Sequence, residues 1–150
     1  MKIYFASDLH LGTPTKEASR QRELLFVQWL DTVSKDAAEI FLVGDVFDFW
    51  HEYNTVVPKG FVRLQGKIAE LCDKGIKVHI FTGNHDLWMH GYLHEELGAA
   101  VYYEPILREW NGKQFLIGHG DGLGPGDKGY KRMKKLFTNP LARWAFKWLH

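Results

Sequence analysis

Residues 39–50 read EIFLVGDVFDFW, and their first half is a short apolar run rich in β-branched and aromatic side chains. The run stops at Gly44 and is followed at once by Asp45 and Asp48. A buried parallel strand looks like this: apolar throughout, ended by a small residue, with polar groups placed just past its carboxyl end. The same grammar recurs on either side. Residues 2–10 read KIYFASDLH and residues 77–86 read KVHIFTGNHD.

Between these runs, Lys16 to Lys35 carries Leu24, Leu25, Val27, Trp29, Leu30 and Val33 at roughly helical spacing. Gly60 to Asp73 does the same with Val62, Leu64, Ile68, Ala69 and Leu71. The predicted order is βαβαβ, and a right-handed crossover brings the strand carboxyl ends to one edge, where open α/β sheets place their ligands. A short helix over Tyr92 to Leu97 follows. The runs Ala100 to Tyr103, Ile106 to Trp110 and Lys113 to Ile117 then add antiparallel strands, with Asn111-Gly112 as a hairpin turn. A glycine-rich loop from Gly120 leads to a helical segment over Lys128 to His150, with a restart at Asn139-Pro140.

The polar groups after these strands form one chemical set: Asp8 and His10, Asp45 and Asp48, Asn84, His85 and Asp86, and His119 with Asp121. In an extended segment Asp8 and His10 point to one side while Leu9 points into the core. A mixed Asp, Asn and His set favours manganese, iron or zinc over calcium, and two such ions hold a phosphoryl group for in-line attack by water. Asp45 is suited to bridge two ions. His85 neighbours a ligand but points elsewhere, so it reads as the catalytic proton donor to a leaving oxygen. Asp48 reads evenly as an acceptor orienting a histidine or as an exposed turn residue, and Asp121 and Asp127 as supporting or substrate-facing groups or as turn formers. His51, His90, His94 and His150 read as surface residues, and His79 as strand filler.

The 150 residues, 45% of them hydrophobic, suit one soluble domain. The single cysteine, Cys72, has no partner for an internal disulfide, which fits a reducing compartment and a cytoplasmic protein. The first residues resemble no signal peptide, and no apolar stretch is long enough to span a bilayer. The net charge of +1 hides an asymmetry, since residues 128–150 hold seven Lys or Arg and no acid. That segment also carries Phe137, Leu141, Trp144 and Trp148. It reads about equally as a basic amphipathic helix for an anionic lipid surface or acyl chain and as a core helix with a solvated face. With an acidic remainder and no extended basic stripe, nucleic acid is not expected as a partner.

These motifs resemble the calcineurin-like metallophosphoesterase superfamily, whose pattern runs Asp-x-His, Gly-Asp-x-x-Asp, Gly-Asn-His-Asp/Glu, a further His, and a terminal Gly-His-x-His. Through residues 7–11, 44–50 and 119–130 the chain is most similar to the UDP-2,3-diacylglucosamine pyrophosphohydrolases of lipid A synthesis. The resemblance implies an α/β fold, the αββα sandwich, with a metallophosphoesterase domain over residues 1–127 and the start of a helical cap over 128–150. It implies one manganese on Asp8, His10 and Asp45 and a second on Asp45, Asn84 and His119. Asn84, His85 and Asp127 would contact substrate, and Asp48, Asp86 and Asp121 would support the ligands from behind. The implied reaction splits the pyrophosphate of UDP-2,3-diacylglucosamine into UMP and 2,3-diacylglucosamine 1-phosphate, in the cytoplasm and peripheral to the inner membrane. His85 stands where members of that hydrolase family carry Arg, which keeps a soluble phosphoester as a second reading, with a silent binding module as a third. The terminal Gly-His-x-His does not occur among the 150 residues. The resemblance therefore implies an N-terminal portion, impaired alone, whose remaining half is absent or comes from another chain.

Overall fold

A computed structural model describes residues 2–53 and 55–121, with 139 and 141 beyond them. Its elements are β1 (Lys2–Ala6), α1 (Lys16–Val33), β2 (Ala37–Val43), α2 (Val62–Asp73), β3 (Lys77–Phe81), α3 (Tyr92–Glu95), β4 (Ala100–Tyr102), β5 (Ile106–Trp110) and β6 (Lys113–Ile117). The first four strands form one sheet in the order β1-β2-β3-β4, each neighbouring pair parallel. β5 and β6 form a separate antiparallel pair.

Strand periodicity divides the interior into two cores. From β2 and β3, Ile40, Leu42, Val78 and Ile80 face a core shared with Phe26, Leu30 and Val33 of α1 and with Leu64, Ile68 and Leu71 of α2. The intervening Phe41 and Phe81 face the other way, onto Ile117, Ile106 and Trp110 of the second sheet. Among the described residues the layers therefore run helix, sheet, sheet. Fully burying one of these aliphatic side chains contributes about 1.5–3 kcal/mol, so the central strands anchor both cores.

The hairpin follows its turn residues. Asn111 and Gly112 both take positive φ, 52° and 73°, as a two-residue turn between paired Trp110 and Lys113 demands. β4 departs from the expectation of an antiparallel strand: it continues the first sheet parallel to β3, pairing His79 with Ala100. α2 starts at Val62, later than the pattern suggested, because Gly60 and Phe61 adopt φ of +110° and +54°. The amphipathic reading of α1 also needs correction. Leu24 and Leu25 are exposed, whereas Ser19 and Glu23 are buried.

Tertiary hydrogen bonding explains that exchange. Ser19 Oγ accepts the Gly12 amide at 2.8 Å, and Glu23 Oε1 accepts the amides of Arg63 and Leu64 at 3.0 and 3.2 Å. Phe61 offers no capping side chain, so the α2 N-terminus takes its acceptor from α1. The boundary expected after residue 127 and the helix over 128–150 lie outside the described residues. At the expected restart, Asn139 Oδ1 accepts the Leu141 amide at 2.8 Å. Among the described residues, no helix is long and apolar enough to cross a membrane.

Candidate metal centre

The parallel pairing of β1, β2 and β3 sets their carboxyl ends side by side, and the loops leaving them are laced together by main-chain bonds. The amides of His10 and Leu11 donate to the carbonyls of Asp45 and Val46 at 2.9 and 3.1 Å, and Asp48 N donates to Leu11 O at 3.0 Å. The loop after β3 joins through Asp86, which is fully buried. One Asp86 oxygen accepts the Gly83 amide at 2.7 Å, the other the amides of Val46 and Phe47 at 2.9 and 3.2 Å. Burial pushes the Asp86 carboxyl up to about 6 against the pull of those amides. Asp86 thus fastens two loops together.

Local backbone shape departs from the sequence expectation. Asp8 and His10 are not extended but left-handed, at φ of 57° and 42°, and Asp45 shares that conformation at 51°. Non-glycine residues held there cost about 1–3 kcal/mol each and persist where the surroundings enforce them. The turns still bring the side chains together. His10 Nε2 lies 3.8 Å from Asp8 Oδ1 and 3.7 Å from Asp45 Oδ2.

His119, leaving β6, comes to the same carboxylate: its Nε2 is 3.4 Å from Asp45 Oδ2 and 3.4 Å from Asn84 Oδ1. Its Nδ1 donates to the Val43 carbonyl at 2.9 Å, which leaves Nε2 to face the two oxygens. The Asp45 hydrogen bond, helped by the Val43 carbonyl, pushes His119 up to about 9. Burial raises Asp45 itself, but His119 and the His85 amide outweigh it and hold the carboxyl below its ordinary value. Two glycines make this approach possible. At Gly44, with φ +82°, a Cβ would overlap the His119 ring, and at Gly83 it would overlap the Asp45 carboxylate.

A second cluster stands alongside. Asp48 Oδ1 lies 3.6 Å from His10 Nδ1 and 3.3 Å from His85 Nδ1, and His85 Nδ1 also donates to the Asp48 carbonyl at 3.1 Å. The His10 and His85 rings meet edge to face at 4.7 Å. Donor atoms of Asp8, Asp45 and His119 lie within 4.8 Å of one another, as do those of His10, Asp48 and His85. Donors about 2.1 Å from one ion sit roughly 3–3.5 Å apart at tetrahedral or octahedral angles. The 3.4 Å separations of His119 from Asp45 and Asn84 match that spacing, and His10 stands slightly wider, 3.7 and 3.8 Å from Asp45 and Asp8.

Asp121, just beyond His119, also raises that imidazole electrostatically. Asp127 lies outside the described residues. His51 is fully buried, not at the surface, and His90 is partly buried, whereas His94 is exposed as expected. His79 is more than strand filler: buried against Phe41 at 4.3 Å, it binds Glu39 at 2.8 Å and Tyr102 at 3.1 Å. Sequence reading missed Arg22, whose guanidinium reaches the carbonyls behind His10; polar Ser19, Arg22 and Glu23 at helical spacing were the available signal.

A family model described as calcineurin-like phosphoesterase matches residues 1–148. The chain belongs to the calcineurin-like phosphoesterase family. Membership of this family implies divalent-metal binding, and the two donor groups around Asp45 and Asp48 are close enough to hold ions. Among related calcineurin-like phosphoesterases, the chain is 45% identical over 150 residues to a UDP-2,3-diacylglucosamine hydrolase of Porphyromonas gingivalis, covering 99% of this chain and 57% of that protein. A UDP-2,3-diacylglucosamine hydrolase of Pseudomonas putida is 30% identical, with 98% and 59% covered, and one of Pseudomonas aeruginosa is 28% identical, with 99% and 60% covered. The chain thus spans somewhat over half the length of these curated relatives. In fold it is similar to a protein of unknown function from Aquifex aeolicus, at a TM-score of 0.55 and 18% identity, covering 90% of this chain and 70% of that one.

Proposed function

We propose that this chain carries the metal centre of a hydrolase that splits the pyrophosphate of UDP-2,3-diacylglucosamine into UMP and 2,3-diacylglucosamine 1-phosphate. The convergence of Asp8, His10, Asp45, Asn84 and His119 donors at the sheet edge carries the chemistry. The substrate rests on the 45% identity to the Porphyromonas gingivalis hydrolase.

Asp8, His10 and Asp45 would hold one ion, and Asp45, Asn84 and His119 a second, with manganese the best match to this oxygen and imidazole set and iron or zinc close behind. Two divalent ions supply charge stabilisation for a phosphoryl group and a more acidic water. The protein supplies position. Asp45 presents one oxygen to both histidines while the other is fixed by the His85 amide at 3.0 Å. His85, half exposed and anchored through Nδ1 on Asp48, keeps Nε2 for the proton of a leaving or phosphoryl oxygen. Asn84 and His85 then face the phosphates, and Asp127 would meet the sugar nucleotide.

The basic, aromatic segment 128–150 would receive the acyl chains or touch the inner-membrane surface, placing the protein in the cytoplasm at that membrane. His85, at a position where the resembled hydrolases carry Arg, supports a second reading, a phosphodiesterase of the same chemistry acting on a soluble substrate. Manganese-dependent release of UMP from UDP-2,3-diacylglucosamine, compared with hydrolysis of a soluble aryl phosphodiester, tests both. Turnover of the soluble ester alone would select the second reading, and metal-independent turnover of either would end both.

A further inference from the structure

We propose that Arg22 is a positioning residue for the metal centre, holding the Asp8–His10 turn in its ligand-presenting shape through main-chain carbonyls. Its Nη1 donates to three carbonyls at once, those of Leu9 at 2.9 Å, His10 at 2.8 Å and Thr13 at 3.1 Å. Three carbonyl oxygens aimed at one point repel one another unless a cation joins them, and a guanidinium stays charged at every working pH. The turn it gathers is the one in which Asp8 and His10 hold left-handed conformations. The loop after β2 fixes the other side of this turn, with the Asp45 and Val46 carbonyls accepting the His10 and Leu11 amides, and Ser19 of the same helix as Arg22 takes the Gly12 amide. Arg22 thus supplies α1's hold on the carbonyls, as Ser19 supplies its hold on an amide.

The inference rests on the metal-centre reading, so its test needs one measurement with metal and one without. In the full chain, manganese titration of Arg22→Met should show affinity lowered about 10–100-fold, as when a group orienting a ligand from behind is lost. Arg22→Lys should recover most of it, since an ammonium still offers three donors although it is one bond shorter. In metal-free protein, hydrogen exchange of the His10 and Leu11 amides should quicken in Arg22→Met while β2 and β3 amides keep wild-type rates.

Wild-type manganese affinity in Arg22→Met would overturn the proposal. So would equal loss in Met and Lys variants with faster exchange through the whole parallel sheet, the mark of a merely structural residue. Should the wild type bind no manganese while Arg22→Met still loosens only the turn, the metal reading falls and the positioning role stands. Unchanged exchange at the turn would remove the positioning role whatever the wild type binds.

Discussion

Nε2 of His119 stands 3.4 Å from Oδ2 of Asp45, and the same oxygen lies 3.7 Å from Nε2 of His10. One carboxylate oxygen therefore faces imidazoles delivered by two different strands. Asp45→Ala should release both ions, not one. Elemental analysis of the purified variant checks this, and one ion retained at wild-type affinity would remove the bridging role.

The His85 side chain meets Asp48 and the His10 ring, and it is the main-chain amide of His85 that reaches Asp45. His85→Ala should keep its metal and lose about 10²-fold or more in turnover, the range for a lost proton donor. Metal lost in proportion to rate would make His85 a ligand.

Gly83→Ala would set a methyl group 2.5 Å from the Asp45 amide nitrogen, and Gly44→Ala would push against His119. Both should weaken metal binding and lower the melting temperature. Gly66→Ala in α2 meets nothing within 4 Å and should stabilise by about 0.5–1 kcal/mol. Thermal melts of the three variants side by side provide the check; a destabilised Gly66→Ala would show that helix propensity is not what governs that site.

Burial holds the His79 imidazole below its ordinary 6.5, with Glu39 offsetting part of the shift. A lowered folded value means that the unfolded chain binds more protons, so stability is complete above about 6.5 and declines as pH falls from there through the folded value. His79→Gln should flatten the melting temperature against pH between about 5 and 7. An unchanged slope in that variant would assign the acid sensitivity to other groups.

Strands β1, β3, β5 and β6 were legible because each is a short apolar run cut off by a small or turn-forming residue. The pairing of β4 was not, since its partner is chosen by tertiary contact and not by the neighbouring Asn-Gly turn. Leu24 and Leu25 misled because helix periodicity counts apolar side chains, while Ser19 and Glu23 turn inward for the hydrogen bonds they make. At the site, which residues gather was readable from their positions after strands. How they do so was not: nothing in an Asp or a His announces a left-handed backbone, and Arg22 acts on carbonyls, which every residue has.

β2 has no idle face. Ile40 and Leu42 belong to one core, Phe41 to the other, and the strand runs directly into Gly44 and Asp45. Inserting or deleting a single residue within it would exchange the two sets and turn the carboxylate away together with them. Descendants of this chain can therefore change β2 by substitution, one side chain at a time, but not by length, so lineages that gain or lose residues should do so in loops such as 55–60 and leave the phase of this strand intact.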